Sequence, residues 1–196
     1  DLIKGKIHYV LEAVNGGTIN TADRDNKKNL IAKLEIKPVP NFKLSASGQL
    51  GHCTAVTNSL YNTSVVEGQT YKQNRYAAGF EWKSKATGND YHKNRCVTLR
   101  SEILGGKDGD CNSFGIYAAT SIPVYKGLDI VAMADYMNYN TDNGLKKTNL
   151  MAGLQYCIFK KCRLQAQYTY SLRSDAMKAI QGDNQSIIQT QIQVAF

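Results

Sequence analysis

Residues 163–172 run Arg163-Leu164-Gln165-Ala166-Gln167-Tyr168-Thr169-Tyr170-Ser171-Leu172. Leu164, Ala166, Tyr168, Tyr170 and Leu172 fall on one parity, and Arg163, Gln165, Gln167, Thr169 and Ser171 on the other. Successive side chains of an extended strand point to opposite faces, so the segment predicts a strand with one apolar and one hydrophilic face. The alternation returns downstream, where Ile188, Thr190, Ile192, Val194 and Phe196 oppose Ile187, Gln189, Gln191 and Gln193. It returns upstream too. Leu150, Ala152, Leu154 and Tyr156 oppose Asn149, Met151, Gly153 and Gln155; Leu128, Ile130, Ala132, Ala134 and Tyr136 oppose Asp129, Val131, Met133 and Asp135.

Further upstream, Val97, Leu99, Ser101 and Ile103 oppose Thr98, Arg100 and Glu102, and Tyr76, Ala78, Phe80 and Trp82 oppose Arg75, Ala77, Gly79, Glu81 and Lys83. Phe42, Leu44, Ala46, Gly48 and Leu50 oppose Lys43, Ser45, Ser47 and Gln49. Leu30 to Ile36 and Ile7 to Ala13 continue the pattern, and residues 114–122 form a strand whose facing is undecided. Ten strands result. Tight turns at Pro38-Val39-Pro40-Asn41 and Pro123–Gly127, where proline fixes φ and cannot donate to a ladder, alternate with long polar connections. This is the layout of an up-and-down antiparallel barrel occupying residues 1–196 as one unit. The connections around 15–29, 51–74, 105–112, 140–148 and 173–184 are expected outside and the two proline turns on the periplasmic side.

Bulk composition alone points elsewhere. The 196 residues are 42% hydrophobic and contain no apolar run near the ~18 residues of a spanning helix, which would ordinarily indicate a soluble domain. Spanning strands escape such scans because only alternate residues face lipid. Which face is packed decides between a soluble and a membrane barrel. The apolar face is small at Ala78, Ala132, Ala152 and Ala166, with Tyr76, Trp82, Tyr136, Tyr156, Tyr168 and Tyr170 towards strand ends, as in a lipid band between aromatic girdles. The opposite face carries charged or amide side chains in nearly every strand, which a wet lumen satisfies and a sealed core does not. The fold class expected is therefore an all-β, antiparallel transmembrane β-barrel.

The ending Gln189–Phe196, alternating and closing on phenylalanine, resembles the last strand of Gram-negative outer-membrane proteins. In that class the terminal aromatic, here Phe196, is a signal to the barrel-assembly machinery. The runs Asn29–Asn41, Arg75–Trp82 and Gln167–Ser171 resemble the phosphate-selective porin O and P family in its Bacteroidetes branch. Members of that family have about sixteen strands, so the resemblance is to their C-terminal portion. It implies an outer-membrane channel with anion preference, and small anions such as phosphate as solutes. The family's basic ladder is not transferable residue by residue.

On the hydrophilic face, Lys4, Lys6, Lys33, Lys37, Lys43, Arg75, Lys83, Arg100 and Arg163 outnumber Glu12, Glu35, Glu81, Glu102, Asp129 and Asp135. A lumen with that bias favours anions; alternatively the same groups form cross-strand ion pairs that brace the wall. The formal charge of +8, from 24 Lys and Arg against 16 Asp and Glu, does not itself choose a partner. Acids interleaved with the bases, and the lack of a recognised motif, argue against nucleic acid. Homo-oligomer formation is left open.

His8, His52 and His92 read as solvated polar residues, and no metal or other cofactor is expected. A catalytic role is disfavoured: an omptin-like rim protease needs acidic and histidine pairs at the outer rim, where only His52 falls. Gly105–Asp110 lacks the ending of a phosphate loop and the spaced acids of an EF-hand, and reads as a tight surface loop. The five cysteines are odd in number and irregular in spacing. Cys157 and Cys162 point to opposite faces unless a bulge intervenes, whereas Cys53 and Cys111 fall in outer loops and are expected to react with thiol reagents on intact cells. The competing readings are a passive channel and a non-conducting structural or adhesive barrel, and strand number separates them.

Overall fold

A computed structural model describes residues 3, 5–16, 26–84, 95–159 and 162–194. Ten strands run in chain order: β1 (Ile7–Asn15), β2 (Lys28–Val39), β3 (Phe42–Thr54), β4 (Thr70–Lys83), β5 (Thr98–Asp108), β6 (Cys111–Tyr125), β7 (Leu128–Asn138), β8 (Lys146–Phe159), β9 (Cys162–Arg173) and β10 (Gln185–Val194). They form one antiparallel sheet in the order β1-β2-β3-β4-β5-β6-β7-β8-β9-β10, each strand hydrogen-bonded to its neighbours in sequence. Among the described residues β1 and β10 do not pair, so the two outer strands of the sheet each have one edge without a partner strand.

Register confirms the two faces. Ala46 lies opposite Ala78 and Ala78 opposite Ile103; Ala132 lies opposite Ala152 and Leu154 opposite Ala166. These belong to the convex face, which exposes Leu11, Leu50, Tyr76, Leu154 and Ile192. The opposite face is concave, and crowding there buries Gln73, Asp129, Val131, Gln155 and Ser171. Pairing of Ile103 with Ile116 and of Glu102 with Tyr117 fixes the undecided strand β6: Phe114 and Ile116 face outward, Tyr117 inward. Tyr168 sits in the middle of β9, not towards its end, and its hydroxyl meets Ser186 Oγ at 2.9 Å.

Strands extend further than the alternation suggested. Gly105 and Gly106 belong to β5, whose two-residue turn to β6 places Gly109 at φ 62°, a left-handed conformation that glycine adopts without strain. A Cβ on Gly105 would stand 2.5 Å from the Tyr76 hydroxyl, so glycine makes room for that ring on the convex face. The connection expected over 51–74 shortens to residues 55–69, and that over 140–148 to residues 139–145. A bulge does separate Cys157 from Phe159 opposite β9, yet Cys157 and Cys162 are both free buried thiols.

The connection after β9 contains a helix that the sequence reading missed, α1 (Asp175–Gln181). Ser174 caps it by accepting from Met177 N at 3.3 Å, Gly182 ends it at φ 79°, and Met177 is fully buried beneath it.

Candidate functional site: the concave wall and its inward loop

Loop 55–69 does not stand out from the rim but leans across the concave face. Ser59 Oγ accepts from the backbone N–H groups of Tyr61 and Asn62, both at 3.2 Å, and so turns the loop tip. Asn62 Nδ2 then donates to the Asp108 carbonyl at 2.6 Å, on the β5–β6 hairpin. Asn140 Nδ2 donates to the Tyr61 carbonyl at 3.1 Å from the β7–β8 connection, and Gln181 Nε2 on α1 donates to the Tyr61 hydroxyl. The loop thus leaves β3, returns to β4 and is tied to elements up to the β9–β10 connection. Tyr61 packs on Tyr139 with ring centroids 4.8 Å apart. Burial, together with neighbouring Tyr61 and Asp135, pushes the Tyr139 phenol above its ordinary range, so it stays protonated and able to donate.

Between this loop and the wall lies a cavity of about 570 Å³, lined among others by Gln49, Tyr61, Tyr71, Arg75, Asp108 and Tyr139. Arg75 Nη2 meets Asp108 Oδ2 at 2.9 Å.

Nearer the Pro38 and Pro123 turns, the wall carries a belt of charge. Glu35 is held by Lys33 at 3.0 Å and Lys43 at 3.6 Å. Glu81 is held by Lys83 at 3.0 Å and by Arg100, whose Nη2 lies at 2.6 Å and Nε at 3.2 Å. Each carboxylate serves two cations, and with Glu102 beside them the four bases Lys33, Lys43, Lys83 and Arg100 exceed the three acids by one. Lys33, Glu35, Lys43, Glu81, Arg100 and Glu102 surround a common recess of about 260 Å³. Across β8–β10 charge gives way to amides: Gln165 Nε2 donates to Gln167 Oε1 at 2.7 Å, and Gln167 Nε2 to Gln189 Oε1 at 2.9 Å.

Of the other sequence candidates, Lys6 lies exposed in the turn before β1, Lys37 is exposed on β2, and Arg163 donates to Gln155 Oε1 at 3.1 Å and to Gln193. Lys4, Phe196 and His92 lie outside the described residues. His8 stands opposite Glu35 in the β1–β2 register and His52 opposite Lys72.

Sequence reasoning missed two arginines. Arg95 pairs with Asp129 and donates to the carbonyls of Tyr125 (2.8 Å) and Leu128, bracing the Pro123 turn from the neighbouring connection. Arg173 donates to the Gln181, Gly182 and Asp183 carbonyls at 2.8, 3.1 and 2.6 Å, closing the α1 connection. Only a local signal existed for either, an arginine just outside or at the end of an alternating run.

The cysteine expectation changes with the structure. Cys53 and Cys111 are only 3% and 7% exposed, because β3 and the β5–β6 hairpin carry them inward under the loop. The topology is better tested at Leu60, 74% exposed at the loop tip. In a chain with its native cysteines replaced, Leu60→Cys is expected to react with an impermeant maleimide on intact cells, and Lys126→Cys in the Pro123 turn only after lysis. The opposite pattern overturns the orientation.

No protein-family model and no curated protein matches the chain. Solved structures do. An anion-selective porin from Comamonas acidovorans superposes with a TM-score of 0.64 at 15% identity, over 98% of this chain and 56% of the porin. OmpT of Vibrio cholerae, an outer membrane protein in its trimer form, superposes with a TM-score of 0.56 at 13% identity, over 88% of this chain and 53% of its own. The chain therefore spans little more than half the length of these neighbours, and its fold is that of the outer-membrane β-barrel wall they share.

Proposed function

We propose that the chain is a wall segment of an outer-membrane porin-type channel that passes small hydrophilic solutes and favours anions. The observation that carries this reading is the pairing of an exposed apolar convex face with a hydrophilic concave one, crossed by an inward loop. Such a wall suits lipid on one side and water on the other. The charged belt, in which Lys33, Lys43, Lys83 and Arg100 stand against Glu35, Glu81 and Glu102, adds to the excess of bases on the hydrophilic face and so to the anion bias. The anion-selective neighbour is consistent with it.

The free edges of β1 and β10 bear on the size of the barrel. Each unpaired backbone group in hydrocarbon costs several kcal/mol, so a membrane wall has to pair both edges. We take the ten strands as part of a larger barrel, of the sixteen-strand kind that the phosphate-selective resemblance implies. Its surroundings are outer-membrane lipid and the barrel-assembly machinery, with Phe196 as the assembly signal and self-association as an open option.

The full polypeptide, purified and inserted into planar bilayers, is expected to give stepwise conductance with a reversal potential of anion-selective sign under a KCl gradient. Insertion without conductance would favour the structural or adhesive barrel. The rim protease has weaker support, since His52 faces Lys72 across the β3–β4 pair rather than a carboxylate.

A further inference from the structure

We propose that the chamber beneath loop 55–69 is a binding subsite for a neutral, polyhydroxylated solute of the mono- or disaccharide class. The inference rests on the channel reading above and goes beyond it, because the charge belt and the chamber have different chemistry. The chamber's volume of about 570 Å³ lies within the ~300–1,000 Å³ typical of small-molecule sites. Among the described residues lining it, Arg75 is the one cation and Asp108 the one anion, and they hold each other at 2.9 Å. The wall of the chamber is therefore neutral.

An anion entering here would have to compete with Asp108 for Arg75. A hydroxyl group has no such rival. It can accept from the guanidinium, which carries five N–H donors in a planar fork, while donating to the carboxylate. Asp108 Oδ1 is buried and has no hydrogen-bond partner among the described residues, so the carboxylate keeps an unused acceptor. Rotation about the terminal torsion of an aspartate is soft, and either oxygen can be turned towards the cavity. Gln49 Nε2 is engaged by Gln73 Oε1 at 3.0 Å, which fixes the Gln49 amide and leaves its oxygen to accept.

Of the four tyrosines along the chamber, Tyr76 turns its ring to the convex face over Gly105, and Tyr61, Tyr71 and Tyr139 complete the lining. Each offers an apolar face to the C–H surface of a sugar ring and a hydroxyl at its edge. The loop holds Tyr61 in place through three bonds from separate elements, so the ring is positioned before any solute arrives.

The test uses the full polypeptide folded in detergent micelles, titrated calorimetrically with sucrose and, separately, with gluconate, and checked for folding by heat-modifiable gel mobility. Saturable sucrose binding in the millimolar range is expected, with no saturable binding of gluconate. Tyr61→Ala and Tyr139→Ala should each weaken sucrose at least tenfold. Asp108→Asn releases Arg75 from its counter-charge, so sucrose should weaken while gluconate gains saturable binding. Absence of sucrose binding to the folded wild type, a wild-type preference for gluconate, or wild-type sucrose affinity in the folded tyrosine variants would each overturn the proposal. Bilayer conductance of the same preparation separates the two readings. Current without sucrose binding overturns the chamber alone, and sucrose binding without current supports the chamber while overturning the channel.

Discussion

Arginine placed at Ala78, Ala132, Leu154 or Ala166 is expected to cost ~2–4 kcal/mol of folded-state stability in lipid. Register puts these four on the convex face, inside the strands and away from the turns. A guanidinium there has neither water nor a counter-charge, and the small neighbours around it provide little stem packing. The same substitution at Gln167, which lies one residue from Ala166 but on the concave face among amides, should cost far less. Urea titration of the protein in liposomes, followed by the fluorescence of Trp82, measures both sets. Equal penalties on the two faces would overturn the assignment of one face to lipid and the other to water, and a larger penalty at Gln167 would show that the faces have been exchanged.

The second large effect concerns selectivity. Replacing Lys33, Lys43 and Arg100 together by glutamate should reverse the ion preference of the channel, because each replacement moves the wall charge by two units at a place where a passing ion comes close. Bases on outer loops matter less, since their fields are screened within ~8 Å at physiological salt. The structure adds a complication that the sequence did not show. Lys33 and Lys43 are the two partners of Glu35, and Arg100 is one of the two partners of Glu81, so the triple variant also leaves like charges adjoining. A companion set with glutamine at all three positions removes the positive charge without that repulsion and should bring the permeability ratio close to unity. The readout is the reversal potential in planar bilayers under a low-salt gradient. Conductance with unchanged preference in both sets would show that these side chains brace the wall and do not select.

The two faces were readable from alternation because period two is a property of the strand itself. Leu164, Ala166 and Tyr168 needed no knowledge of their neighbours to be assigned together. The limits of the strands were less readable. Gly105 and Gly106 resemble turn residues in isolation, and what keeps them in β5 is pairing with β4 and β6 on either side, with the Tyr76 ring of β4 laid over Gly105. Cys53 and Cys111 read as outer-loop residues because alternation stops short of them, although β3 and β6 extend to include both and a loop folded inward covers them. That inward course depends on Asn62, Asn140 and Gln181, polar residues that look like any others in a solvated connection. The charged residues are legible as a face but not as pairs, because alternation gives the facing of a residue and not the register of its strand against the neighbouring one. Helix α1 is a short element of seven residues, about two turns, whose single strong anchor, Met177, carries no periodic signal.

The strict sequential order of the sheet has a consequence for how the protein folds. Every strand pairs only with the strand before it and the strand after it, so each pairing closes a short loop and pays little closure entropy. Assembly can therefore advance hairpin by hairpin, each completed strand offering its edge to the next, in the manner of a zipper. Loop 55–69 is the exception. Its tethers join residues 46, 79 and 120 positions apart, and they cannot form until β5, β7 and α1 are in place. The chamber is thus completed only once the wall as far as α1 has been laid down.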